Sequence, residues 1–231
     1  VSGKTIPRPQ FPDDDGAADP GLGAALTAYA AGRAGEHAVL RELHGARLLV
    51  PVVAVLTEEE AVEPGELRRE KSSDMALPTL VGADGRRGVL GFTSTAALRA
   101  WRSDARPVAV TVRQACLAAL DEGADALVVD VAGPVPFAVD GLRLHLLAEG
   151  RLIPPPHEDP DVLAAIDAAF GSDPAVAGVR VARGESAELA VRFAVVDGHD
   201  ERVTVQRVSD RLAELLRGRI VGGVELSVLR R

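Results

Sequence analysis

The sequence predicts an α+β protein of two domains, each a mixed β-sheet packed against helices. Three observations carry that expectation. Apolar residues recur at helical spacing in some segments and alternate or run continuously in others, so neither period holds throughout. Apolar residues make up 47% and charged residues 26%, the balance of a chain that buries a core. Three consecutive prolines in Ile153-Pro154-Pro155-Pro156 make a stiff extended spacer inside the 231 residues. The implied division is an extended arm over 1–20, a larger domain over 21–152, a proline linker over 153–156 and a smaller domain over 157–231.

The elements follow in chain order. Residues 1–20 hold four prolines and the acidic run Asp13-Asp14-Asp15, which predicts an arm ordered only where Ile6 or Phe11 finds a groove. Leu22–Ala31 sets Leu22, Leu26 and Tyr29 at helical spacing, and His37–His44 sets Val39, Leu40 and Leu43 on one face. Arg47–Leu56 is the first buried strand; Pro51 inside it predicts a lost ladder bond, hence an edge strand or a bulge. Residues 57–73 form a charged connector that turns at Pro64-Gly65. Met75–Ala83 and Gly88–Phe92 flank Asp84-Gly85-Arg86-Arg87 as a hairpin, because Asp and Gly both tolerate positive φ.

A hydroxyl of Thr93-Ser94-Thr95 caps the helix Ala96–Arg102. Pro107–Val110 is a short strand, and Val112–Leu120 repeats apolar side chains at 112, 115, 116 and 119. Ala126–Val131 and Pro136–Val139 are strands, and the helix Leu142–Ala148 closes at Gly150. Beyond the prolines, Asp159-Pro160 supplies an N-cap and a first-turn proline for Asp161–Phe170. Val176–Ala182 and Glu188–Val196 are strands, the second alternating Leu189, Val191, Phe193 and Val195 with Ala190, Arg192 and Ala194. A helix over about Thr204–Arg217 and a strand Val224–Leu229 complete an αββαβ order.

Composition excludes several classes. Lys and Arg total 26 against 34 Asp and Glu, a net charge of −8, which argues against broad nucleic-acid binding while leaving room for a local basic patch. The longest apolar run, Leu48–Leu56, is nine residues, against about twenty for a helix that spans a bilayer. Val1–Pro9 shows no apolar core of a secretory signal. Cys116 is the single cysteine, so neither an internal disulfide nor a multi-cysteine zinc site is available. These features predict a cytoplasmic protein.

At Leu48–Ala54 and again at Asp84–Trp101 the chain resembles the SseB (enhanced serine sensitivity) family. The most specific stretch is Asp84-Gly85, then Val89-Leu90-Gly91-Phe92-Thr93-Ser94, then Leu98-Arg99-Ala100-Trp101. Asp125–Phe137, ending Gly133-Pro134-Val135-Pro136-Phe137, is similar to the family's strand-turn-strand close. Residues after 156 resemble its smaller C-terminal domain, and the arm with Ile6-Pro7, Phe11 and Asp13–Gly16 resembles versions from high-GC bacteria. The resemblance implies a two-domain bacterial protein linked to serine sensitivity, and it brings no reaction, cofactor or catalytic residue with it.

Read as chemistry, the residues point to binding rather than catalysis. Arg86 and Arg87 on the hairpin tip lie close in sequence to the Thr93-Ser94 helix start, so two guanidiniums and free helix N–H groups are expected to hold an anionic ligand or acidic peptide. The acidic set Asp13–Asp15, Glu58–Glu60 and Glu63, or the arm itself, offers a surface to a basic protein partner. Cys116 sits on an apolar helix stripe as a small hydrophobe. His37, His44, His145, His157 and His199 show no HxxxH or HExxH spacing, so neither a metal nor a cofactor is expected. Ser72-Ser73-Asp74 lacks a nucleophile elbow, and Gly82, Gly85 and Gly88 punctuate a hairpin. The expectation is a non-enzymatic binding or regulatory module. Its alternative is an enzyme of amino-acid or sulfur metabolism whose interdomain cleft joins His145, Asp130 and Arg143.

Overall fold

The first helix starts where an Asp-Pro pair dictates it. In the computed structural model, which describes residues 10–55, 74–76 and 78–229, Asp19 accepts a hydrogen bond from Leu22 N at 2.9 Å. Pro20 fills the first turn of α1 (Pro20–Ala30), where no backbone donor is needed. The chain divides between Leu152 and Ile153 into two compact units.

In the first unit α1 buries Leu22 and Leu26 and packs against α2 (Glu36–Gly45), which buries Val39, Leu40 and Leu43. Five strands and one helix follow in order: β1 (Arg47–Val55), β2 (Asp74–Ala76), β3 (Thr79–Val81), β4 (Arg87–Gly91), α3 (Thr95–Trp101) and β5 (Arg106–Thr111). Then come α4 (Val112–Asp121), β6 (Ala126–Val129), β7 (Phe137–Asp140) and α5 (Gly141–Ala148). Two sheets result. One is antiparallel in the order β2-β1-β5; the other is mixed, in the order β3-β4-β6-β7, with β4 and β6 parallel. Phe92 stitches them together by exchanging both backbone bonds with Leu49, at 2.8 and 2.9 Å. The mixture of parallel and antiparallel pairing with helices makes the protein α+β, as its sequence predicts.

Pro51 corrects an expectation. It lies in the central strand of its sheet, opposite Pro107 of β5, rather than in an edge strand. Leu49 spends its N–H and C=O on Phe92, on the side away from β5. Backbone groups alternate sides along a strand, so those of Pro51 also point away from β5. Among the described residues β2 pairs with β1 from Val53 onward. The missing donor therefore faces away from β5, and no ladder bond to β5 is lost.

The expected arm Met75–Ala83 of the hairpin is likewise two strands. Asp74–Ala76 pairs with β1, while Thr79–Val81 pairs with β4 across a turn at Gly85, whose φ is +81°. Pro78 lies between them and cannot donate to a ladder. The connector over 57–73, with Glu58–Glu60, Glu63, Ser72 and Ser73, lies outside the described residues.

The second unit runs α6 (Pro160–Phe170), β8 (Val176–Arg183), β9 (Leu189–Val195), α7 (Glu201–Leu215) and β10 (Val224–Val228). The sheet order is β10-β9-β8, with β9 antiparallel to β8 and parallel to β10. One face of the sheet carries Leu189, Val191 and Phe193, which form the core with Val162, Ile166 and Phe170 of α6 and with Val208 and Leu212 of α7. Phe170 meets Phe193 edge-on at 5.0 Å, the favoured aromatic geometry. A bulge at Gly178, φ +64°, bends the edge strand β8 between Ala177 and Val179, which blunts it against further pairing.

Candidate functional site

The parallel pairing of β4 with β6 brings their carboxyl ends side by side, and the polar site of the first unit is built there. Asp130, one residue past β6, extends the ladder by donating its N–H to Gly91 O at 2.9 Å. It then adopts φ +51°, the one positive-φ residue other than glycine among those described, a conformation that Asp tolerates better than most side chains. The turn aims its carboxyl group back across the strand ends. Oδ1 accepts Thr93 N at 2.8 Å and Oδ2 accepts Thr93 Oγ1 at 2.6 Å. Both residues are 6% exposed, so these partners leave no buried donor unmet. Beneath the turn, Phe92 packs with Leu49, Leu90 and Leu98 and tilts against Trp101 at 5.5 Å.

The next link leads outward. Thr93 O accepts Arg47 Nη1 at 2.6 Å, Arg47 being the first residue of β1. The guanidinium then turns to the arm: Nε donates to Asp14 Oδ2 at 2.6 Å, while Nη2 donates to Asp14 Oδ1 and to Ala17 O. Gly16 completes the clasp. Its carbonyl accepts Thr95 N at 2.8 Å, and its φ is +76°. A Cβ at this position would lie 2.2 Å from Thr95 Oγ1, so both the backbone and the close approach require glycine. The Arg47 hydrogen bond holds Asp14 below the usual carboxylate range.

The expected anchors of the arm are Ile6 and Phe11, and the structure adds polar ones. Phe11 is half-buried, but polar contacts from Asp14, Gly16 and Ala17 fix the arm's described part. Ile6 lies outside the described residues. Asp14, expected on a solvated acidic surface, is spent within the chain at 13% side-chain exposure.

The expected site residues fall at the two ends of β4. Arg86 and Arg87 lie at its start and are exposed, and Arg86 pairs with Asp140 at 2.7 Å. Arg87 N donates to Asp125. Thr93 and Ser94 lie past its other end, about 16 Å away for five extended residues. The Thr93 hydroxyl is bound to Asp130, and Ser94 Oγ accepts Ala97 N at 3.1 Å as the cap of α3. The arginines and the hydroxyls therefore do not converge.

Nor do His145, Asp130 and Arg143. Arg143 is buried and pairs with Glu36 at 2.6 Å, while His145, two positions on along α5, is exposed. Asp130 is bound to Thr93 at the far end of β6 from Asp140, the residue that leads into α5. Cys116 is fully buried, and burial pushes its thiol up to about 12, which holds it neutral. Among the described residues no group of three or more His, Cys, Asp or Glu side chains is arranged to hold a metal ion. Nor is any helix among them long and apolar enough to cross a membrane.

Sequence reasoning missed Arg47 and gave Asp130 the wrong company, His145 and Arg143 in place of Thr93. Arg47 read as the polar start of a buried strand, and its partner is 33 residues upstream, a pairing that no local spacing encodes. Asp130 carried one usable signal, the Asp-x-x-Gly of Asp130–Gly133, in which Gly133 N returns to Asp130 O at 2.8 Å.

A family model described as SseB protein N-terminal domain matches residues 22–145, more than half of the chain. No curated protein and no solved structure matches the chain.

Proposed function

The chain belongs to the SseB family, and on that premise we propose that it is a non-enzymatic binding or regulatory module whose first unit takes a short acidic segment at Arg47. The observation that carries this reading is the filled guanidinium fork: two donors on the Asp14 carboxylate, flanked by the carbonyls of Ala17 and Thr93. Bidentate guanidinium–carboxylate pairing is a common way for one chain to hold another chain's acidic side chain. Here the occupant is the protein's own arm. Tethering gives the arm a high effective concentration, so a partner's acidic segment takes the socket only when it outcompetes the arm or when the arm is drawn away. Exposed Arg86 and Arg87 offer such a partner a second contact. The link to serine sensitivity, the cytoplasmic location and the reading of residues 157–231 as the family's C-terminal domain belong to the same proposal.

Affinity capture from the protein's own cells, with quantitative mass spectrometry, tests it on three baits: the unaltered chain, Asp14→Asn and Arg47→Ala. One stoichiometric partner is expected to rise several-fold on Asp14→Asn, to vanish on Arg47→Ala and to weaken with salt. Equal recovery on all three baits removes the socket from the account.

A further inference from the structure

In the second unit the side of the sheet opposite the core carries a feature that folding does not explain. Residues paired in register share a face. Arg180 of β8 stands directly opposite Arg192 of β9, and Arg192 stands opposite Ser227 of β10. The row on one side of them is Ala177–Ala194, and the row on the other is Ala182–Ala190–Glu225. Two guanidiniums thus rise from the middle of a face otherwise lined with alanine, serine and Glu225. Arg180, Arg192, Ala182 and Ser227 are exposed.

Like charges directly opposite on neighbouring strands destabilise a sheet, and nothing described offsets this pair. Neither arginine has an ion-pair partner among the described residues. Arg207, Arg211 and Arg219 of this unit are paired with Asp173 or Asp161, while Arg183, Arg202 and Arg217 are exposed like this pair. What sets Arg180 and Arg192 apart is that they stand directly opposite each other. Glu225, the one carboxylate on the same face, has its Oε1 occupied by Ser186 N, Ser186 Oγ and Ala187 N.

We propose that the open face of the β10-β9-β8 sheet is a docking site for an extended acidic peptide segment of a protein partner, its carboxylates held by Arg180 and Arg192. The chemistry of the face favours that occupant. In an extended segment, side chains two apart lie on one side about 7 Å from each other, within reach of two long arginines whose Cα atoms are about 5 Å apart. Ala177, Ala182 and Ser227 are exposed beside the arginines and leave room for the segment's backbone, while Ala190 is already covered. Single-stranded nucleic acid is a poorer match, because the face offers no aromatic ring for base stacking. A long polyanion would also meet the rest of a chain whose net charge is −8. The proposal is independent of the Arg47 socket.

The test is fluorescence anisotropy with the full chain and three labelled eight-residue probes: alternating Glu-Ser, alternating Lys-Ser, and oligothymidylate. The Glu-Ser probe is expected to bind, and the affinity should fall at least tenfold in Arg192→Thr and in Arg180→Thr. The same losses are expected when both substitutions are made in an Arg47→Ala chain, which separates this face from the arm's socket. Without any probe, Arg192→Thr should raise the unfolding midpoint by about 1–3 °C, because the opposed charge is gone. A merely structural arginine would lower it. The proposal is overturned if the Glu-Ser probe does not bind, or if it binds equally to both threonine variants. It is also overturned if oligothymidylate binds more tightly through the same two arginines, which would assign the face to nucleic acid.

Discussion

Asp130→Ala is expected to destabilise the first unit by about 3 kcal/mol, because it removes two acceptors and leaves a β-carbon in a left-handed backbone. The Thr93 N–H and hydroxyl are buried with it, and an unmet buried donor costs about 1–3 kcal/mol. The φ of +51° adds about 1 kcal/mol for alanine. Asp130→Asn keeps an acceptor for Thr93 N and keeps the tolerance of this backbone, so its cost is about 1 kcal/mol. Asp130→Gly relieves the backbone but supplies no acceptor, which puts it between the two, at about 2 kcal/mol. Urea unfolding of the three variants reads the order directly. Glycine as mild as asparagine would mean that the backbone alone matters at this turn and that the bonds to Thr93 contribute nothing.

The second large effect is on the second unit and depends on pH. Asp173 follows α6 with its side chain 1% exposed. It accepts Arg207 Nε and Nη2 at 2.7 and 2.9 Å and Ala175 N at 3.0 Å. The Arg207 hydrogen bonds hold its carboxyl at about 2. A carboxyl depressed by folding contributes stability that is fully present above its unfolded value, near 4, and lost as pH falls through about 2. Two pKa units at about 1.4 kcal/mol each set the ceiling. Because Arg207 and Arg211 are 39% and 45% exposed, the expected contribution is about 1–2 kcal/mol. Unfolding followed from pH 5 to pH 2 should therefore show a loss of that size which Asp173→Asn lacks. Parallel curves for the two proteins would show that the pairing contributes no stability.

What was legible in the sequence is what short spacing encodes. Asp159-Pro160 starts α6, Ser94 caps α3, and the alternation from Leu189 to Val195 marks β9 with its apolar face inward. Asp19-Pro20 carries the same start signal as Asp159-Pro160 and extends α1 two residues beyond the apolar spacing. The Thr111–Gln114 capping box of α4 was equally readable. Pro51 was misread because a proline's cost depends on which side of the strand its missing donor faces, and that side is set by a partner 41 residues away, Phe92.

The polar site was hidden for the same reason. Arg86-Arg87 and Thr93-Ser94 are near in sequence, yet an extended strand turns six residues into its full length. Asp14, Arg47, Thr93 and Asp130 are far apart in sequence, yet two strand ends and a docked arm turn them into neighbours. Likewise the alternation in β9 placed Arg192 outward, but only the register with β8 sets Arg180 opposite it.

The claim that Arg47 is a socket for acidic segments is tested most directly by supplying the arm in trans. A peptide of residues 10–19 is titrated into the full chain carrying Asp14→Ala and Gly16→Ala, which frees the socket while leaving the Asp19 cap of α1 in place. Calorimetry should give one binding site, weakened by salt and lost when Arg47→Ala is added or when Asp14 of the peptide is Asn. A peptide that does not bind, or that binds as well without Arg47, would contradict the account and leave the arm as a structural strap.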